Sequence, residues 1–263
     1  MRRIRYLAKC YWQDRRGRIV IIMLLFLLCY FSNFYSADGY VKYNGEKEPS
    51  SGNYICQTIV GIDEIDSDSN SIDIPQAWII FFMSYILLNV GYVKTDINVR
   101  GSQYFLRIES RRRWWIDKNI LIFVATLVYF AIYFGLALLF GMLSGDITIY
   151  PVSEMWLNGV EVNDSNTVYR MLILDLIILL AISGIQMIAE LLFNEMIALI
   201  VVGIYIFAGV FWKSPILLSN YTMLCRKMNY WNGIILAFVI WSVSAFIGYY
   251  YQKKSSRGNK INY

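Results

Sequence analysis

Residues 101–119, GSQYFLRIESRRRWWIDKN, set Arg107, Arg111, Arg112, Arg113 and Lys118 among Tyr104, Phe105, Ile108, Trp114 and Trp115. Groups of these types bind rather than catalyse. Guanidinium groups make forked hydrogen bonds to carboxylates and phosphates, and aromatic edges bury against partners. Other reactive groups are sparse. Asp175 lies within an apolar run about one turn beyond Arg170, and in AELLFNEM Glu190, Asn194 and Glu195 supply the only break between two apolar runs. An ionisable group inside such a run is a functional candidate by default; pairing with Arg170, or reach to a polar boundary, is the plainer reading of Asp175. For Glu190 and Glu195 two readings stand open, partners of the 101–113 arginines or solvated loop residues. The chain has no histidine, which excludes histidine-based nucleophilic pairs, metal ligands and pH switches. Cys10, Cys29, Cys56 and Cys225 form no CxxC pair, so no metal site is expected. G-x-x-x-x-G-K-S/T, H-E-x-x-H and G-x-S-x-G are all absent. No ATP site, no cofactor and no catalytic residue is therefore expected in this chain.

The elements that must hold these residues are apolar. Of 263 residues, 57% are hydrophobic, 17% aromatic and 16% charged, with a mean hydropathy of +0.46. Soluble domains carry about a quarter charged residues. Six apolar runs, roughly 19–35, 77–93, 119–143, 171–189, 196–212 and 231–251, predict an all-α, multi-pass membrane protein with six spans. Lys and Arg number seven in 1–18, seven in 94–118 and four in 252–263, against two in 36–76, one in 144–170 and three in 213–230. The positive-inside rule then puts both termini and the 94–118 segment in the cytoplasm. This asymmetry accounts for the net charge of +5, so no nucleic-acid partner is expected.

The connecting segments carry further expectations. In 1–18, Ile4, Leu7, Ala8, Tyr11 and Trp12 recur on one helical face, which predicts an amphipathic helix in the headgroup plane with Tyr11 and Trp12 as interfacial anchors; the alternative is a purely topogenic tail. Trp114 and Trp115 are expected to be a second pair of anchors where the third span begins. The outer segment 36–76 holds eight carboxylates and two lysines and reads as a modestly structured surface loop, with attraction of a cationic substrate as the other reading. The outer segment 144–170 mixes short β-like runs with turns. Residues 213–230 are outside but apolar, and fit either a re-entrant or interfacial helix with Pro215 in its first turn or an amphipathic surface loop. Cys56 and Cys225 share the outer side, and nothing in their spacing demands a disulfide. The basic 252–263 segment closes the chain.

This arrangement resembles the membrane subunits of ABC transporters of the type-2 exporter class, small bacterial permeases for peptide, bacteriocin or drug export and immunity. The resemblance lies in six spans, the N-terminal amphipathic helix, the basic-aromatic segment between spans two and three, and SPILLSNYTMLCR between spans five and six. It implies that 101–115 is a coupling helix, with Tyr104, Phe105, Arg107, Ile108, Arg111 and Arg112 meeting a separate ATP-binding subunit. It also implies a re-entrant segment over 214–226 containing Pro215, Asn220, Tyr221 and Arg226. ATP and magnesium would reside in the partner, a second permease copy or paralogue would complete the pathway, and the location would be the bacterial cytoplasmic membrane. A membrane scaffold or sensor subunit that transports nothing is the alternative.

Overall fold

A computed structural model describes residues 2–44, 47–63, 74–95, 111–153, 157, 160, 162 and 164–258. All regular structure among them is helical: α1 (Arg2–Asn44), α2 (Ser51–Ile59), α3 (Gln76–Asn89), α4 (Arg111–Leu143), α5 (Ser165–Leu192), α6 (Glu195–Phe211), α7 (Leu218–Tyr221), a 3-10 turn (Leu224–Arg226) and α8 (Tyr230–Gly258). All six apolar runs fall on helices. Four helices are long and apolar enough to cross a membrane, namely Ala8–Tyr43 within α1, α4, α5 and Tyr230–Lys253 within α8, while α3 and α6 are shorter apolar helices. The 14 residues of α3 reach about 21 Å at a rise of ~1.5 Å per residue, short of a hydrocarbon core of about 30 Å.

The 1–18 segment is not a separate element. α1 runs unbroken for 43 residues. Tyr11, Arg15, Ile22, Phe26, Tyr30 and Ala37 form one buried stripe along it, with the separations of three or four residues, and their sums, that keep side chains on one helical face. The opposite face is bare, with Leu24, Leu28 and Phe31 all more than half exposed. A continuous apolar face of this length suits lipid and would aggregate in water.

The centre is α5, which packs against α2, α3, α4, α6 and α8. Ile178, Leu179, Ala181, Ile182, Ser183, Gly184 and Gln186 are buried in succession, so every side of it meets protein. Between α1, α3 and α4 the core is aromatic. Phe26 and Tyr30 of α1, Phe81 and Tyr85 of α3, and Tyr129 and Tyr133 of α4 meet at centroid separations of 4.6–5.7 Å. Three of their hydroxyls pair inside the bundle: Tyr129 with Ser84 at 2.7 Å, Tyr85 with Thr126 at 2.6 Å and Tyr133 with Thr58 at 2.7 Å. Where water is excluded, such pairing removes the penalty of a buried orphan hydroxyl.

The 36–76 segment is more ordered than its polar composition predicts, although 64–73 lie outside the described residues. α1 extends to Asn44, and α2 is inserted into the protein with Tyr54, Ile55, Cys56 and Ile59 fully buried. Ser50 and Asn53 form a reciprocal capping box that starts α2. The described part of 144–170 contains no strand. Its Asp146 and Thr148 carbonyls accept from the Ser51 and Gly52 amides at 3.1 and 2.8 Å, closing the start of α2 instead. The capping signal was present in the sequence; that α2 faces inward was set by packing against α4.

Cys56 and Cys225 are both free and buried, and burial pushes the Cys56 thiol up to about 12. Since thiolates rather than thiols attack maleimides, neither cysteine is expected to react in the folded protein at pH 8. Both become reactive after denaturation in sodium dodecyl sulfate, as mass spectrometry of the alkylated peptides will read.

Candidate functional site

The expected coupling residues Tyr104, Phe105, Arg107 and Ile108 lie outside the described residues. What the structure does describe is how the chain leaves for that segment and how it returns. α3 ends at Asn89 and passes into a turn over Val90–Val93. Gly91 adopts φ +75°, a conformation that L side chains avoid by about 1–2 kcal/mol. A Cβ on Gly91 would also stand 2.7 Å from Glu195 Oε2.

Ending a helix here leaves carbonyls with no partner in their own helix. Two arginines of α1 take them. Arg15 Nε donates to Leu88 O at 3.1 Å, and Arg18 Nη1 donates to Leu87 O at 3.4 Å and Val90 O at 2.5 Å. Cations are favoured at this end because the aligned peptide dipoles leave it partly negative. The turn's amides go to a carboxylate. Gly91 N–H donates to Glu190 Oε1 at 2.8 Å, and Val93 N–H donates to Oε2 at 2.9 Å. Lys118 of α4 holds the middle, donating from Nζ to Tyr92 O at 3.0 Å and standing 3.9 Å over the Tyr92 ring. Tyr92 OH donates back to Lys118 O at 2.9 Å. Tyr11 OH donates to Asn89 Oδ1 at 3.0 Å, and the Arg15 guanidinium lies 4.5 Å from the Tyr11 ring centroid and 5.2 Å from that of Tyr92. Glu190 is 0% exposed, Lys118 3% and Arg15 5%. A turn of four residues is thus gripped from α1, α4 and α5 at once.

The chain returns at Arg111 and continues directly into α4. Trp114 and Trp115, expected at a lipid interface, are buried inside the protein. Trp115 Nε1 donates to Ala245 O of α8 at 2.9 Å. Tyr11 is likewise an internal residue; Trp12 is half-buried. Aromatic residues near a helix end have the same sequence signature whether they meet lipid or neighbouring helices, and here the neighbouring helices claim them. Glu190 is committed to the Gly91 and Val93 amides. Glu195 is exposed in the first turn of α6, where a carboxylate complements the partly positive helix start.

A second cage closes the opposite end of the bundle. The segment 214–226, expected to be re-entrant, forms a single α-turn followed by a 3-10 turn. Pro215 lies in the turn before it, and its carbonyl accepts from Tyr221 OH at 2.9 Å. Arg226 is 1% exposed. Its guanidinium donates to Val210 O at 2.8 Å, Trp212 O at 3.2 Å and Ile62 O at 3.2 Å, and also reaches Gly209 O and Asn220 Oδ1. Asn220 Nδ2 adds bonds to Trp212 O at 3.0 Å and Ser214 O at 2.8 Å. This segment therefore caps the C-terminus of α6, which is why it curls rather than extending into a longer helix. Asp175 is buried at 2% while Arg170 is exposed, so Asp175 does not reach a polar boundary. One of its carboxylate oxygens meets no hydrogen-bond partner among the described residues.

From the sequence, Arg15 and Arg18 stand out only as topogenic charge and Lys118 only as part of the basic-aromatic segment 101–119, and Asn89, Gly91 and Tyr92 are not singled out. A glycine near the end of the 77–93 run is the one available signal for the turn. No group of residues able to hold a metal occurs among the described residues.

Glu190→Gln replaces one acceptor with a donor facing an amide, and is expected to destabilise the protein by about 2 kcal/mol. Arg226→Lys loses the planar fork and strands buried carbonyls, with an expected loss of about 3 kcal/mol. Thermal midpoints in detergent should fall for both, while Leu28→Ala on the bare face of α1 leaves the midpoint near that of the parent.

No curated protein and no solved structure matches the chain. Residues 20–255, well over half of it, match the family described as "Protein of unknown function (DUF2705)", and the chain belongs to that family.

Proposed function

We propose that this chain is the transmembrane subunit of an ATP-driven exporter of the ABC class. It would sit in a bacterial cytoplasmic membrane with six membrane-embedded helices and both termini inside. A separate ATP-binding subunit holds ATP and magnesium, and a second permease copy or paralogue completes the pathway. Apolar and aromatic helix faces suit an amphipathic or hydrophobic substrate, such as a peptide, a bacteriocin or a drug-like compound.

The observation that carries this reading is the anchoring on either side of 96–110. On the entry side, Glu190, Arg15, Arg18 and Lys118 fix the turn to α1, α4 and α5. On the return side, Trp114 and Trp115 fix the start of α4 inside the protein. A segment rooted this way passes a push from a partner to several helices at once instead of absorbing it in a loose loop. In this role Tyr104, Phe105 and Ile108 bury against the ATPase. Arg107, Arg111 and Arg112 pair with its acidic groups or with anionic lipid.

Two measurements test the proposal. Alanine at Tyr104, Phe105 and Ile108 together is expected to lower co-purification of the cognate ATP-binding subunit at least tenfold, with insertion and expression unchanged; normal binding by the triple variant sinks the coupling assignment. An impermeant maleimide should label Tyr43→Cys on intact cells and Ser102→Cys only after permeabilisation. The reverse pattern overturns the orientation.

A further inference from the structure

α4 and α8 run alongside one another and diverge enough to leave a groove of about 440 Å³ on the protein surface. Trp115, Ile120 and Phe123 line it from α4, and Trp241, Ala245 and Tyr249 line it from α8. Its floor is held in place. The Trp115 indole donates to Ala245 O at 2.9 Å and lies against Gly248, where any Cβ would overlap its ring at 2.0 Å. The lining spans nine residues on each helix, from Trp115 to Phe123 and from Trp241 to Tyr249, an end-to-end rise of about 12 Å at ~1.5 Å per residue. One end carries a charge. The Arg112 guanidinium stands 5.8 Å from the centroid of Tyr249, one turn before the first residues of α4 that line the groove.

We propose that this groove is a binding site for an anionic phospholipid, with an acyl chain along the aromatic floor and the phosphate at Arg112. The pairing of an apolar slot with a cation at one end selects this occupant, because it matches a molecule with an apolar tail and an anionic head. The proposal rests on α4 and α8 lying in a bilayer, and stands or falls separately from the exporter reading. Basic sites between membrane helices recognise anionic head groups in this way, with each Lys or Arg contributing about 1 kcal/mol of attraction. Bound lipid would also brace the start of α4, where the 96–110 segment rejoins the bundle.

The test uses the full chain in vesicles containing phosphatidylglycerol or phosphatidylcholine brominated on the acyl chain, with tryptophan quenching as the readout. At equal mole fraction the brominated anionic lipid is expected to be preferred about fivefold. Arg112→Gln should bring the two lipids level. Arg16→Gln, which removes the same charge from an exposed position on α1, should leave the preference intact. Ala245→Phe should fill the groove and weaken quenching by both lipids; if it fails to fold, Ala245→Val serves in its place. Equal quenching by both lipids in the parent overturns the proposal, as does an equal effect of Arg112→Gln and Arg16→Gln. Cross-linking of Ile120→Cys to Ile120→Cys between two copies would show that a second protein molecule fills the groove, and would also overturn it.

Discussion

A helix leaves its last carbonyls without partners of its own, and two short helices of this chain show how such carbonyls are met. α3 stops at Asn89 and α6 at Phe211, both before the length that spans a hydrocarbon core. Each end is capped by groups brought from elsewhere in the sequence. The fold solves both cases alike. Arg15 and Arg18 come from α1 to cap α3, and Arg226 folds back to cap α6. Guanidinium suits this task because it remains charged, offers several donors in one plane and complements the negative end of the helix dipole.

These caps bind distant parts of the chain together. The α3 cap brings in Glu190 for the freed amides and Lys118 for the Tyr92 carbonyl, so one turn is shared by α1, α4 and α5. The α6 cap draws in Ile62 O and Asn220, joining the segments that follow α2 and α6. Between the two cages the packing is aromatic, with each hydroxyl of Tyr85, Tyr129 and Tyr133 paired within the bundle. Among apolar helices in lipid there is little hydrophobic drive for association, and fitted rings with internal hydrogen bonds supply the cohesion instead.

The outline of the fold was legible in the sequence. Long apolar runs with few charges placed helices at the six expected positions, while the caps Asp164, Asn194 and Ser50 emerged only from the structure. The extent of individual elements was less legible. α1 continued through the basic 1–18 segment because nothing in RRGR breaks a helix, and Pro215 began a turn because Asn220 and Arg226 had to face the end of α6. The interior position of α2 was hidden because nine residues are too few for a hydrophobic period to stand out from a capped surface turn.

What the sequence by itself determined was the class of the protein: helices whose apolar residues have no polar face to balance them, and cations segregated to alternate loops. Those properties depend on composition and local order along the chain. Which cation caps a helix, which carboxylate binds an amide and which tryptophan meets protein rather than lipid were decided by the tertiary structure alone. Arg15, Lys118, Glu190 and Arg226 carry the same charges wherever they stand. Their roles come from carbonyls and amides up to 164 residues away in the chain, left open when α3 and α6 end and when the chain turns between elements.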